Sequence, residues 1–250
     1  MTAELKTVSV VKGGQPILQN ASLHCIAGEL TAFCGPNGAG KTTALSVLTA
    51  ALSPDTGAAV LEGEDLGAID ELSLARRRAV VSQSSQLSFP FQVHEVVAMG
   101  RAPHHGLSTP MRDAEVVYDA ICAMDLLHLA ERNYLTLSGG ERQRANIARA
   151  LAQIWDPPTE GGARWLFLDE PTAALDLKYQ IALMKRLDEL ANAGWGIVAV
   201  LHDLQLVKDY ASQIVLFKAG QVVGQGKAND ILSPERVRDV FDLSEPYQLA

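Results

Sequence analysis

Gly35-Pro-Asn-Gly-Ala-Gly-Lys-Thr42, set directly after the apolar run Ala32-Phe-Cys34, decides the architecture of this chain. A glycine-rich loop that ends in Gly-Lys-Thr between a buried strand and a helix turns its backbone N–H groups inward around phosphate oxygens. The pattern predicts a strand over 29–34, a helix from Thr42 to Leu52, and a stop at Ser53-Pro-Asp-Thr-Gly57. A nucleotide phosphate site is expected over Gly35, Pro36, Asn37, Gly38, Ala39, Gly40, Lys41, Thr42 and Thr43. Within it Lys41 serves the β and γ phosphates, and Thr42 ligates Mg²⁺. The N–H groups of Gly38, Gly40, Lys41 and Thr42 and the helix dipole hold the remaining charge. Taken alone, the loop leaves kinases, GTPases and helicases open.

Outward from the loop, strands and helices alternate as in a parallel sheet. Strands are predicted at 5–11, Ala58–Leu61, Ala79–Ser82, Trp165–Leu168 and Gly196–Leu201, with helices at Leu72–Arg78, Glu141–Gln153 and Lys178–Ala193. A hairpin pairs Ile214–Phe217 with Gln221–Gly224, and two short helices lie between Ala228 and Phe241. From Ser88 to Asn133 the apolar residues recur at three and four residue spacings, which reads as a helical insertion broken in two between Met99 and Pro110. The expected plan is one domain over 1–250. Its core comprises 1–87 and 139–250, with an antiparallel β part at the N-terminus, and 88–138 form the helical insertion.

Three further segments carry chemistry. Asp169 ends the apolar strand Leu166-Phe-Leu, where a carboxylate is costly unless it serves a bound ion, so Mg²⁺ held through a water is the expectation. Ser138-Gly-Gly140, within Leu137-Ser-Gly-Gly-Glu141, opens a helix and so forms an anion site with no anion of its own. His202 closes the strand at 196–201, at the sheet edge that carries the phosphate loop.

Composition narrows the class. The 250 residues are 48% hydrophobic, enough for a full core, and the net charge of −8 gives no bulk attraction to nucleic acid, which is not expected as a partner. Cys25, Cys34 and Cys122 are too few and scattered for a disulfide framework or zinc site, and are read as small buried hydrophobes. The adjacent His104 and His105 are expected to be solvated in a loop. No run reaches the roughly 18 apolar residues that a membrane helix needs, and Met-Thr-Ala-Glu-Leu-Lys is not a secretion signal, so a cytosolic chain is expected.

Together the glycine-rich loop, Leu137-Ser-Gly-Gly-Glu141, Leu166-Phe-Leu-Asp-Glu-Pro-Thr172 and His202 resemble the ATP-binding cassette (ABC) ATPases over nearly the whole chain. The resemblance implies the P-loop α/β fold of that family, with ATP and Mg²⁺ as ligands. It makes Glu170 the residue that polarises the attacking water, and His202 the switch histidine at the γ-phosphate. Gln83, with Gln86 as a nearby competitor, becomes the glutamine that reports γ-phosphate and Mg²⁺ to the helical insertion. It further implies a homodimer in which Ser138, Gly139 and Gly140 close over the ATP of a second copy, with Asp176 along the interface. One departure is visible: where the family often stacks an aromatic residue on adenine, Lys12 stands.

An ATPase of this kind without a membrane span implies a separate permease dimer, docked around Phe89–Val96 at the cytoplasmic face of the inner membrane. Met99-Gly-Arg-Ala-Pro-His104 resembles importers of iron chelates, haem and cobalamin. With the long segment Ile154–Trp165 and Gln83–Phe91, the resemblance extends to the haem importer ATPases, fed indirectly by a haem-binding protein outside the membrane. The same motor for ferric siderophore or cobalamin, and a soluble ATPase of iron–sulfur cluster assembly, keep every one of these motifs and remain alternatives.

Overall fold

The computed structural model describes residues 1–82, 89–158, 161–245 and 247. Two sheets and their helices make up the chain. The smaller sheet is antiparallel and has the order β2-β1-β4-β5, from β1 (Thr2–Lys12), β2 (Gln15–Ile26), β4 (Thr56–Leu61) and β5 (Glu64–Asp65). The larger has six strands in the order β10-β9-β3-β8-β7-β6, from β3 (Leu30–Cys34), β6 (Arg78–Val81), β7 (Trp165–Asp169), β8 (Gly196–Val200), β9 (Gln213–Lys218) and β10 (Gln221–Gly226). Every pairing in it is parallel except the edge hairpin of β9 with β10.

The central strands are short and covered on both faces. All five residues of β3, of β7 and of β8 are buried, as expected for parallel strands covered on both sides. Side chains of β3 divide by parity, Leu30, Ala32 and Cys34 entering one core and Phe33 the other. The Phe33 core lies between the large sheet, the antiparallel sheet and α1 (Lys41–Leu48), with Phe217 tilted against Phe33 at 5.2 Å between ring centroids. The opposite core takes in α3 (Val93–Ala98), α4 (Pro110–Ala123), α5 (Gly139–Gln153) and α6 (Leu177–Asn192). Helices α2 (Glu71–Arg77), α7 (Leu204–Tyr210), α8 (Ala228–Ile231) and α9 (Pro234–Phe241) complete the chain.

Four connections matter for the site. The parallel strands β3, β8, β7 and β6 are sheet neighbours in that order, so the segments leaving their C-terminal ends meet along one edge. Those segments begin at Gly35, Leu201, Glu170 and Ser82. Among the described residues no helix is long and apolar enough to cross a membrane.

Local differences from the sequence expectations have simple causes. Helix α1 ends at Leu48, with Thr49 as its cap and Ala50 at a φ of 54°, four residues short of Leu52. Strand β2 was not anticipated: its register against β1 shifts between Leu5 and Val8 and twice more before Val11, so its apolar residues do not alternate cleanly. Helix α7 is a short element started by Asp203, whose carboxylate accepts from the N–H groups of Gln205 and Leu206.

Candidate active site

The loop between β3 and α1 owes its path to glycine. Gly35 has a φ of 143°, and a Cβ there would stand 2.2 Å from the carbonyl oxygen of Phe217 on β9. Gly40, the N-cap of α1, has a φ of 99°, and its Cβ would meet Leu18 at 2.8 Å. No larger residue fits either place. The loop thus packs against β9 of the large sheet at one end and β2 of the antiparallel sheet at the other, and leads into α1, whose first turn has no acidic side chain to offset the positive end of its dipole. Lys41 folds back over the loop, its Nζ donating to Gly35 O at 2.7 Å and Pro36 O at 2.9 Å. Burial lowers its pKa, against the raising influence of Cys34, Glu170 and Asp169.

From the neighbouring strand end, Asp169 faces Thr42: the Thr42 hydroxyl donates to its Oδ1 at 3.1 Å. Asp169 is 6% exposed. Burial raises its pKa and the Glu170 charge adds to the rise; the Thr42 hydrogen bond, Lys41 and His202 oppose it. A hydroxyl and a buried carboxylate brought together are hard oxygen donors, the set that suits Mg²⁺, a cation usually held by one or two protein oxygens and by the phosphates of its substrate.

Glu170 adopts a φ of 51°, a left-handed conformation that a non-glycine residue takes only where its surroundings impose it. The turn aims its carboxylate at the end of β8, where Oε1 lies 2.7 Å from Nε2 of His202. An ionised carboxylate only accepts, so Nε2 carries the hydrogen. The loop, the start of α1, Glu170 and His202 line one cleft of about 650 Å³, and Ile17 from β2 closes its side.

Ser138, Gly139, Gly140 and Asp176 do not line this cleft. Ser138 caps α5 through a reciprocal pair, its Oγ accepting from Glu141 N at 3.3 Å while Glu141 Oε2 accepts from Ser138 N at 2.7 Å. The turn at Ala173–Asp176 lies beside it, and a Cβ on Gly140 would be 3.4 Å from Ala174 O. Asp176 is exposed at the start of α6. The structure therefore gathers two separate groups, the cleft residues and the 138–140 and 173–176 surface. Gln83 and its competitor Gln86 lie outside the described residues.

The ABC transporter family matches residues 18–173, which include the loop, Ser138–Gly140, Asp169 and Glu170. The chain belongs to this family. It is 43% identical to the hemin import ATP-binding protein HmuV of Hahella chejuensis over 94% of this chain and 91% of that protein. To the protein of the same name from Pseudomonas aeruginosa it is 41% identical over 96% and 92%. Its fold superposes, with a TM-score of 0.77 and 26% identity, on a dimeric post-hydrolysis ATP-binding cassette, MJ0796, bound to ADP and Pi, over 90% of this chain and 98% of that one. The six-stranded sheet, antiparallel sheet and helical segment between β6 and β7 are thus the ABC ATPase fold expected from the sequence.

Within this ABC fold, two sequence readings are corrected and one cleft residue is added. Cys122 is exposed, unlike the buried Cys25 and Cys34, because it falls on the outer face of α4. Burial pushes the Cys25 and Cys34 thiols up to about 12, so both stay protonated and inert. His104 is buried, with Nε2 2.7 Å from Gln153 O, while His105 alone is exposed. Ile17 was not singled out. Its signal was only its place five residues after Lys12, which is itself exposed, and its entry into the cleft depends on how the β1–β2 hairpin lies over the loop.

Proposed function

We propose that this chain is the ATP-hydrolysing subunit of a haem importer, working as a homodimer beneath a separate permease dimer at the cytoplasmic face of the membrane. The observation that carries the ATPase reading is that Lys41, Thr42, Glu170 and His202 line one cleft, with Asp169 hydrogen-bonded to Thr42 behind it. Similarity to two hemin import ATP-binding proteins above 40% identity supports the cargo.

The residues divide the work. Lys41 and the N–H groups from Gly38 to Thr43 hold the phosphates of ATP. Thr42 and Asp169, with Gln83, hold Mg²⁺, which when bound offsets phosphate charge as the γ-phosphoryl group leaves. Glu170 takes a proton from the attacking water as the oxygen–phosphorus bond to the γ-phosphate forms and the bond to the β–γ bridging oxygen breaks. His202, hydrogen-bonded to Glu170, holds that carboxylate toward the cleft and meets the γ-phosphate. Ser138, Gly139 and Gly140 of a second copy complete the site from the other side, with Asp176 along the interface. Residues 88–138 carry the permease-docking face around Phe89–Val96.

The test is ATP hydrolysis by the chain reconstituted in lipid with the permease that co-purifies with it, with and without a haem-loaded binding protein, beside Glu170→Gln. Stimulation by the haem-loaded protein, absent in Glu170→Gln, is the expected result. Stimulation by a ferric-siderophore or cobalamin carrier instead would keep the motor and replace the cargo. Full activity indifferent to any permease would overturn the transporter reading.

A further inference from the structure

Met99–His104, a 3-10 turn between α3 and α4, takes no part in the cleft, yet it is fixed to α5 at three points. Gly100 approaches so closely that a Cβ on it would stand 2.2 Å from Arg149 O. Arg101, whose side chain is 4% exposed, uses all three of its nitrogens: Nε donates to Asp113 Oδ1 on α4, Nη1 to Ala152 O and Nη2 to Asp156 Oδ2, each at 2.8 Å. His104 Nε2 donates to Gln153 O at 2.7 Å. Ala152 and Gln153 form the last turn of α5, whose carbonyls have no partner within the helix, so the turn at 99–104 supplies their donors.

The network spreads from there. Asp156 also accepts from Arg112 on α4, from Nε at 3.1 Å and Nη2 at 2.7 Å. Burial alone would raise the Asp156 pKa; the Arg112 and Arg101 hydrogen bonds outweigh it and hold the carboxyl below its ordinary range. Gln153 donates from Nε2 to Ala75 O and Arg78 O, at the junction of α2 with β6. A guanidinium that needed only satisfaction could take its partners from one element. Arg101 takes them from α4, from the end of α5 and from the segment beyond it, and so fixes their relative position. At its other end, 15 residues away, α5 begins with Ser138-Gly139-Gly140. A helix of that length is a rod of about 22 Å.

We propose that Arg101 is a positioning residue that locks the helical insertion and α5 into one lever, so that a displacement at the docking face reaches Ser138–Gly140. The proposal rests on the transporter reading above, and it joins two parts of the chain that the cleft chemistry leaves unused, Met99–His104 and Asp156 in the segment after α5.

The experiment compares wild type, Arg101→Met and Asp156→Asn as full chains, free and in liposomes with the co-purifying permease, reading kcat and KM for ATP in each state. In Arg101→Met the KM and the permease-free rate stay within about twofold, while permease-stimulated kcat falls about 3- to 30-fold, the span typical of a broken coupling path. Asp156→Asn, which keeps the shape and loses the charge, falls in the same direction by less and covers the case in which Arg101→Met does not fold. Equal stimulation of wild type and both variants would overturn the lever, as would a parallel fall of permease-free and stimulated rates. A wild-type chain that the permease does not stimulate would instead overturn the transporter reading.

Discussion

Asp169 costs the fold something that only a ligand repays. Its pKa is raised, chiefly by burial, so ionising it is harder in the folded chain than in the unfolded one. The chain therefore loses stability as pH climbs from the ordinary aspartate value through the raised one, and carries that penalty at neutral pH. Asp169→Asn keeps an acceptor for the Thr42 hydroxyl and removes the charge. It is expected to raise the melting temperature of the nucleotide-free chain by about 2–4 °C while abolishing the extra stabilisation that Mg²⁺ gives with ATP; scanning calorimetry reads both. A fall in melting temperature would mean that the attraction of the Asp169 charge to Lys41 and His202 outweighs the cost of burying it. Glu170 gives a complementary case. Glu170→Gln retains a partner for His202 yet cannot take a proton, so phosphate release should drop by about 10² to 10⁴ with ATP binding kept. Asp169 was legible in the sequence because it closes an apolar strand, and Glu170 because the segment Leu166–Thr172 resembles the ABC ATPases. The Arg101–Asp156 pair was not, since 55 positions separate its members and only the fold brings them together.

At the scale of the element, α5 performs two tasks at one end. Its N-cap is a complete capping box, so Ser138 is already explained by helix stability. The proposed contact with a second copy's ATP uses the same residue, and a substitution can separate the two. Aspartate caps a helix as well as serine does, but it sets a negative charge where a γ-phosphate would bind. Ser138→Asp should keep the melting temperature within about 1 °C of wild type and lower ATP turnover by on the order of 10², measured by phosphate release at saturating ATP. A variant that is stable and fully active would leave Ser138 as a cap and nothing more. Helices such as α5 and strands such as β3, β7 and β8 were readable because one local pattern, a long amphipathic stretch or a fully apolar run, dictates each. Strand β2 was hidden by its bulges, and α7 by its length of seven residues.

Over the whole molecule, the separation of the two site surfaces becomes an argument about assembly. Ser138–Gly140 and Asp176 do not line the cleft that holds Lys41, Glu170 and His202, and on the proposed reading a single chain does not bring both to one phosphate. Two copies related by a two-fold axis can, each lending its 138–140 surface to the other's cleft, and the interface then contains the ligand. Association should depend on ATP and last as long as ATP is intact. Glu170→Gln with Mg²⁺ and ATP is therefore expected to sediment as a dimer at micromolar concentration, while the nucleotide-free chain sediments as a monomer. Each copy carries a net charge of −8, so raising salt to about 0.15 M, where the Debye length is about 8 Å, should strengthen the dimer by screening that repulsion. Adding Ser138→Asp to Glu170→Gln places like charge against the phosphate and should return the protein to monomer. If the double variant still dimerises with ATP as firmly as Glu170→Gln alone, the 138–140 surface does not meet the nucleotide, and the two-copy site gives way to one built within a single chain.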